Sequence, residues 1–258
     1  MRQFIASVVS NCAVCEGIYE ITFAWGGGVA SPQPGQFCTM QISQTTSPLL
    51  RRPFAFSGFD AAAKTASVVY KKRGPATEIL SGKTPGETID VIGPLGNAFT
   101  QYAPEKTNFL IAGGTGFGPI FFWQRYLSEH TYAVHTVLGS KTASGAPRCT
   151  DTDIQKAIVC TEDGSEGFKG TVVDYLQTLP QTHLDQAALF CCGPTPMLKA
   201  CYDFANNHAI ACYVSMEQIM ACGVGACMGC AVKVHGDNSY ARVCTEGPVF
   251  NGKSIVWT

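Results

Sequence analysis

The 258-residue sequence predicts a multidomain chain: an N-terminal antiparallel β-barrel, an α/β domain with a parallel sheet, and a small cysteine-rich C-terminal region. Three observations carry this. Short runs of β-branched and aromatic residues, separated by turn signals, fill residues 1–100. From Asn108 onward, compact apolar strands alternate with helical stretches. Near the end, four cysteines fall at positions 222, 227, 230 and 244.

In the first region, residues 4–9, 19–25, 37–42, 54–57, 67–71 and 88–92 read as strands. Gly26-Gly27-Gly28, Pro34-Gly35 and Pro85-Gly86 mark the turns between them. Such close spacing suits a small barrel or sandwich. A brief helix is expected from Thr77 to about Leu80. Two basic stretches, Arg51-Arg52-Pro53-Phe54-Ala55-Phe56-Ser57 and Lys71-Lys72-Arg73-Gly74-Pro75-Ala76-Thr77, look like halves of one site. An arginine on a strand forks two N–H bonds onto a phosphate, and a helix start at 74–77 suits the same diphosphate. The alternative is a pair of basic surface stretches beside strands.

The second region, 101–216, opens with the strand Phe109-Leu110-Ile111-Ala112, followed by Gly113-Gly114-Thr115-Gly116-Phe117-Gly118-Pro119 and an apolar helix to about Ser128. Strands at 133–138, 157–160 and 188–192 and helices at 171–179 and 196–206 follow, with 213–215 as a further strand. The alternation implies a parallel, open sheet. A glycine-rich turn between strand and helix lets a pyrophosphate approach the backbone and the helix N–H groups. Here the glycines depart from the G-x-G-x-x-G spacing, so a tight connection that merely needs small residues stays open. Cys192-Gly193-Pro194-Thr195-Pro196-Met197 closes another strand. Ligands bind an open α/β sheet at the C-terminal ends of its strands, so this turn should face the same crevice. An ordinary helix-entry turn is its alternative.

The third region, 217–258, holds Cys222, Cys227 and Cys230 in a C-x4-C-x2-C run, with Cys244 fourteen residues later. That is the plant-type spacing for a [2Fe–2S] cluster held by four thiolates. Gly223, Gly225 and Gly229 allow the positive-φ turns that wrap a backbone around sulfide. Structural zinc usually comes in CxxC pairs, which fits less well.

Composition narrows the class. A formal net charge of −1 argues against a nucleic-acid partner. No apolar stretch reaches membrane-spanning length, and the N-terminus lacks a signal-peptide pattern. Thirteen cysteines, an odd number, without an export signal fit a reducing cytoplasm better than a disulfide framework. Cys12 and Cys15 form an isolated CxxC, and Cys38, Cys149, Cys160, Cys201 and Cys212 read as core or surface residues.

In this order, Arg-Pro-Phe-Ala, Gly-Pro-Ala-Thr, the 113–119 glycine turn and Cys-Gly-Pro-Thr-Pro-Met resemble the ferredoxin–NADP reductase superfamily. Met220-Ala221-Cys222-Gly223-Val224-Gly225-Ala226-Cys227-Met228-Gly229-Cys230 and Arg242-Val243-Cys244-Thr245-Glu246-Gly247-Pro248-Val249-Phe250 narrow the likeness. They resemble the electron-transfer subunits of two-subunit, NAD-dependent dihydroorotate dehydrogenases, over essentially the whole chain. Gly93-Pro94-Leu95-Gly96-Asn97 and Glu162-Asp163-Gly164-Ser165 also fit.

The resemblance implies roles. Arg52, Pro53, Phe54 and Ala55, with Val69, Tyr70 and Lys71, would line FAD, and Gly74, Ala76 and Thr77 would hold its diphosphate. Ala55 stands where the superfamily usually places Ser or Thr, so a flavin hydrogen bond there must come from backbone. Ala76 stands for the family's glycine. Gly113, Gly114, Thr115, Gly116, Gly118, Gly193 and Pro194 would serve NAD, with Cys192 as the catalytic residue beside the nicotinamide. Gly139-Ser140-Lys141 offers no acid for a ribose hydroxyl, so NAD rather than NADP rests on the resemblance.

Its implied function is an electron relay in pyrimidine biosynthesis, from a dihydroorotate-oxidising partner through the [2Fe–2S] cluster and FAD to NAD+. No general base is named, and the five histidines read as structural or surface residues. A dihydroorotate-oxidising barrel alone needs roughly 250 residues, so the substrate belongs to another chain. The expected partner is a catalytic FMN subunit, in a heterotetramer of two of each, with neither nucleic acid nor membrane. Alternatives are a subunit of anaerobic sulfite reductase or NADH-dependent ferredoxin–NADP oxidoreductase type, the latter usually with Asp where Cys222 stands, and a non-enzymatic iron–sulfur sensor.

Overall fold

The computed structural model describes residues 1–100, 107–130, 132–147, 156–236 and 239–257. Cys149 lies outside the described residues.

Six strands close the barrel: β1 (Arg2–Cys15), β2 (Ile18–Ala24), β3 (Phe37–Gln41), β4 (Arg52–Asp60), β5 (Thr65–Lys71) and β6 (Thr88–Leu95). Their order around it is β1-β2-β5-β4-β3-β6, all antiparallel. Closure removes the edges that an open antiparallel sheet would expose. Side chains alternate across each strand. Phe54 and Phe56 of β4 accordingly meet Val68 and Tyr70 of β5 and Ile21 and Phe23 of β2 in the interior. Trp25 packs edge-on against Phe4 and Phe56. Helix α1 (Pro75–Ser81) follows β5 and plugs the barrel with Leu80. Strand β1 runs past the expected end at Val9 and carries Cys12 and Cys15, because β2 pairs with it to its last residue across two irregularities.

The second sheet orders its strands β10-β9-β8-β7-β11-β12-β15. These are β7 (Thr107–Gly113), β8 (Val134–Ser140), β9 (Ile158–Thr161), β10 (Phe168–Lys169), β11 (Ala187–Cys192), β12 (Ala211–Ser215) and β15 (Val249–Asn251). All neighbours are parallel except β12 and β15. Every residue of β11 is buried, as expected of a central parallel strand covered on both faces. The helices α2 (Phe117–Glu129), α3 (Val172–Gln177), α4 (Gln181–Leu184) and α5 (Thr195–Asn207) connect the strands. β13 (Ala231–Lys233) and β14 (Tyr240–Arg242) form a small hairpin beside the cysteines.

Helix α2 joins sheet and barrel. Ile120, Trp123 and Leu127 are buried in a core shared with β7 and β11, each contributing about 1.5–3 kcal/mol by burial alone. On its other side Gly118 lies so close to β4 and β5 that a Cβ there would stand 3.0 Å from Val69 and 3.1 Å from Ser57. Arg125 donates to the Ser57 carbonyl. Among the described residues no helix is long and apolar enough to cross a membrane.

Candidate functional site

The crevice at the C-terminal ends of β7 and β11 is built from two interlocked turns. A Cβ on Gly116 would stand 2.1 Å from the Cys192 carbonyl oxygen, and one on Gly113 2.6 Å from Met197 Sδ and 3.2 Å from Pro194. Gly193 closes on Gly113 N at 3.0 Å in the same sense. Gly116 and Gly193 are therefore needed for backbone contact, and Gly113 for the approach of Met197 and Pro194. Gly114 differs: it is exposed, takes φ +54, and has nothing within 4 Å of a Cβ position. Gly114 and the half-buried Thr115 thus present the open cradle, while Gly113, Gly116 and Gly118 let the walls meet.

Cys192 ends β11 in this crevice with 3% of its surface exposed. Burial, then the nearby Glu217 carboxylate, pushes its thiol up to about 12, with a Ser215 hydrogen bond opposing. Glu217, just past β12, was not singled out in the sequence. Its side chain is exposed, while the protein atoms around its carboxyl raise it and Arg73 lowers it. Its position, an acid directly after a parallel strand at the ligand-binding end of the sheet, was the signal available.

On the barrel, the two basic stretches sort themselves. Arg51 is structural: it donates to the Asp90 carboxylate at 2.7 Å and carbonyl at 3.0 Å, and Gln3 donates to the same carboxylate oxygen at 2.8 Å. The pair ties the residue before β4 to β6 across the barrel wall. Arg52 instead turns back on its own loop, donating to the Leu50 carbonyl. Phe54 and Tyr70 meet edge-on at 5.9 Å in the barrel core, where the Tyr70 hydroxyl donates to Asn11 at 2.8 Å. Strand alternation leaves Pro53 and Ala55 on the outer face, opposite Thr39 and Phe37 of β3. Val69 faces α2, and Lys71 is exposed. At the start of α1 the Thr77 hydroxyl takes the N–H groups of Arg73 and Gly74 at 2.8 and 3.1 Å, which builds the turn. Ala76 is buried, and the space in front of Gly74 is open.

The cysteine loop lies on this outer face. A Cβ on Gly223 would stand 2.7 Å from Thr39 Cγ2. The Thr39 hydroxyl is buried without a hydrogen-bond partner, a costly state that a bound polar group would relieve. Cys222 and Cys227 lie within hydrogen-bond reach of each other, as do Cys230 and Cys244. Among the described residues no three His, Cys, Asp or Glu side chains converge as around a single metal ion. Thiols meeting two by two suit a two-iron cluster with two thiolates on each iron. Backbone N–H groups of Val224 and Gly229 donate to Cys222 and Cys227 sulfur, both at 3.4 Å. The Val224 contact leads in pulling the Cys222 thiol down to about 6, while burial raises Cys244 to about 11. Of the expected loop glycines, Gly223 and Gly225 take positive φ, but Gly229 does not; Met228 takes that role at φ +57. Cys222 and Cys227 reach the surface beside exposed Ile219 and Met228, whereas Cys230 and Cys244 are buried.

A closed antiparallel barrel, a parallel α/β sheet and a four-cysteine loop packed against the barrel make up an oxidoreductase fold of the ferredoxin-reductase type. The fold superposes with a TM-score of 0.83 on a chain from a structure of NADH-dependent reduced ferredoxin-NADP oxidoreductase, 27% identical, covering 98% of this chain and 90% of that one. Phthalate dioxygenase reductase shares the fold at a TM-score of 0.66 and 13% identity, covering 91% and 87%. Residues 217–256 match the iron-sulfur cluster binding domain of dihydroorotate dehydrogenase B. The dihydroorotate dehydrogenase B (NAD(+)) electron transfer subunit of Bacillus velezensis is 36% identical over 99% of both chains. That of a Geobacillus species is 34% identical over 99% of both. The chain belongs to this family of electron-transfer subunits.

Proposed function

We propose that the chain receives electrons from a dihydroorotate-oxidising catalytic subunit carrying FMN and delivers them through a [2Fe–2S] cluster and FAD to NAD+. Residues 1–100 hold the flavin, 101–216 the nicotinamide nucleotide and 217–258 the cluster. The observation that carries this is the contact of Gly223 with Thr39, directly across from Pro53: the cysteine loop and the flavin-facing strand share one wall, so a one-electron site adjoins a two-electron site. Bound flavin supplies the exchange between hydride and single electrons.

The chain's own residues position and exclude. Cys222, Cys227, Cys230 and Cys244 hold the irons, with Val224 and Gly229 N–H groups aimed at sulfur. Pro53 and Ala55, half-buried on the outer face, would line the isoalloxazine, and the unpartnered Thr39 hydroxyl would supply a hydrogen bond there. Arg52, with Gly74, Ala76 and Thr77, would hold the flavin's diphosphate. Gly114 and Thr115 admit the nucleotide's pyrophosphate. Cys192, neutral at physiological pH, borders the nicotinamide without placing a second negative charge beside Glu217. The cluster's surface side, flanked by Ile219, Val224 and Met228, is where the catalytic subunit docks, as two copies of each chain. All cysteines among the described residues are free, in keeping with a cytoplasmic setting.

Purified protein should contain one FAD and two irons. With NADH it should reduce a dye; with dihydroorotate it should do nothing until the catalytic subunit is added. Dihydroorotate turnover by the chain alone would overturn the relay, and absent NADH–dye activity in FAD-loaded protein would overturn the nucleotide site.

A further inference from the structure

We infer that Arg242, anchored by Glu246, is a positioning residue that clamps the cysteine loop at Gly225 and raises the electron affinity of the cluster; this rests on the four-cysteine reading above. Arg242 ends β14, two residues before Cys244. Its main-chain N–H and Nε donate to Glu246 Oε2 at 2.7 and 3.0 Å, and Nη2 donates to Oε1. The Thr245 hydroxyl donates to the same Oε1 at 3.0 Å. So fixed, the guanidinium presents Nη1 to the Gly225 carbonyl at 2.8 Å.

Gly225 is crowded on its Cα side as well. It takes φ +86, and a Cβ would stand 2.8 Å from Thr245 Cγ2 and 3.3 Å from Arg242 Nη1. One glycine therefore ties the 222–230 loop to the arm bearing Cys244, and Arg242 is the bolt. The planar fork matters: a lysine ammonium cannot serve a carboxylate and a carbonyl along three fixed directions at once. Arg242 stands two residues before Cys244 and pairs with Ala231, the residue after Cys230, across the β13–β14 ladder, so its cation lies in the neighbourhood of both ligands. Each electron arriving at four thiolates adds a negative charge, with no proton taken up, and a neighbouring cation favours that state. Partial exposure of the pair screens the effect without removing it.

The test uses full-length, FAD- and iron-loaded protein, with the cluster midpoint read by EPR-monitored redox titration and iron release to a chelator timed separately. Arg242→Gln should weaken the one-electron reduction equilibrium at least about threefold, about 28 mV at 59 mV per tenfold. It should also speed iron release. Arg242→Lys should keep a midpoint near that of the unaltered protein while releasing iron faster, which separates charge from clamp. Glu246→Gln should raise the midpoint and also speed release. A loaded Arg242→Gln protein with unchanged midpoint and unchanged release overturns the inference. Should Arg242→Gln hold no cluster, Arg242→Lys decides: loading with a near-normal midpoint supports the inference, and failure to load overturns the role of the charge. A cluster-free unaltered chain would instead overturn the four-cysteine reading itself.

Discussion

Cys192 illustrates how neighbours decide what a residue does. A thiol at the end of a central strand invites a nucleophile's role, yet burial and Glu217 hold it up to about 12. The folded value lies above the unfolded one, so the neutral thiol's contribution is intact below about pH 9 and is lost as pH rises toward 12, at about 1.4 kcal/mol per unit of pKa. Thermal melts should therefore hold steady between about pH 7 and 9 and fall above that. Cys192→Ser should make the fall shallower without abolishing it, because burial also raises Cys38 and Tyr70. Identical pH slopes for the variant and the unaltered chain would show that Cys192 ionises freely.

The turn after β7 shows the same logic at the level of an element. Gly116 meets only backbone, with the Cys192 carbonyl oxygen at 2.1 Å and Gly193 N at 2.9 Å from a Cβ position, and neither can move aside as a side chain tip would. Gly116→Ala should destabilise the chain by about 1–3 kcal/mol and weaken NADH binding at least about tenfold through the displaced Cys192 turn. Gly27→Ala, with nothing within 4 Å, should do neither. Denaturant titration and NADH titration read the two effects; a Gly116→Ala protein matching Gly27→Ala would mean the turns are not interlocked. The sequence reading found this turn by its glycines and its strand–helix setting, and could go no further. Whether a glycine serves a ligand or a neighbouring backbone depends here on Cys192 and Gly193, far along the chain. The same limit hid the split between Arg51, paired with Asp90 across the barrel, and Arg52. The cysteine run was readable because its ligands are local in sequence. β15 was not: three residues show no period, and only the partner β12 makes them a strand.

At the scale of the molecule, the three regions are not beads on a string. Phe37 and Leu95 of the barrel, Leu189 and Val214 of the sheet, and Cys230, Val243 and Cys244 of the cysteine region belong to one continuous core. Gly96 admits Pro248 so closely that a Cβ would stand 2.5 Å from it, and the Asn97 main-chain N–H donates to the Gly247 carbonyl at 2.7 Å. Beyond that pin, β15 lies along β12, pairing Ser215 with Val249 and Tyr213 with Asn251. The tail thus works as a guard rail. Strip away residues 249–257 and β12 would offer its bare N–H and C=O groups, flanked by apolar Val214, to any passing strand. With a net charge of only −1 there is little mutual repulsion to keep such molecules apart. A chain cut after Pro248 should therefore scatter light and elute as large assemblies at concentrations where the intact chain does not. A truncated protein that stays the size of the intact one would mean that something other than β15 shields this edge.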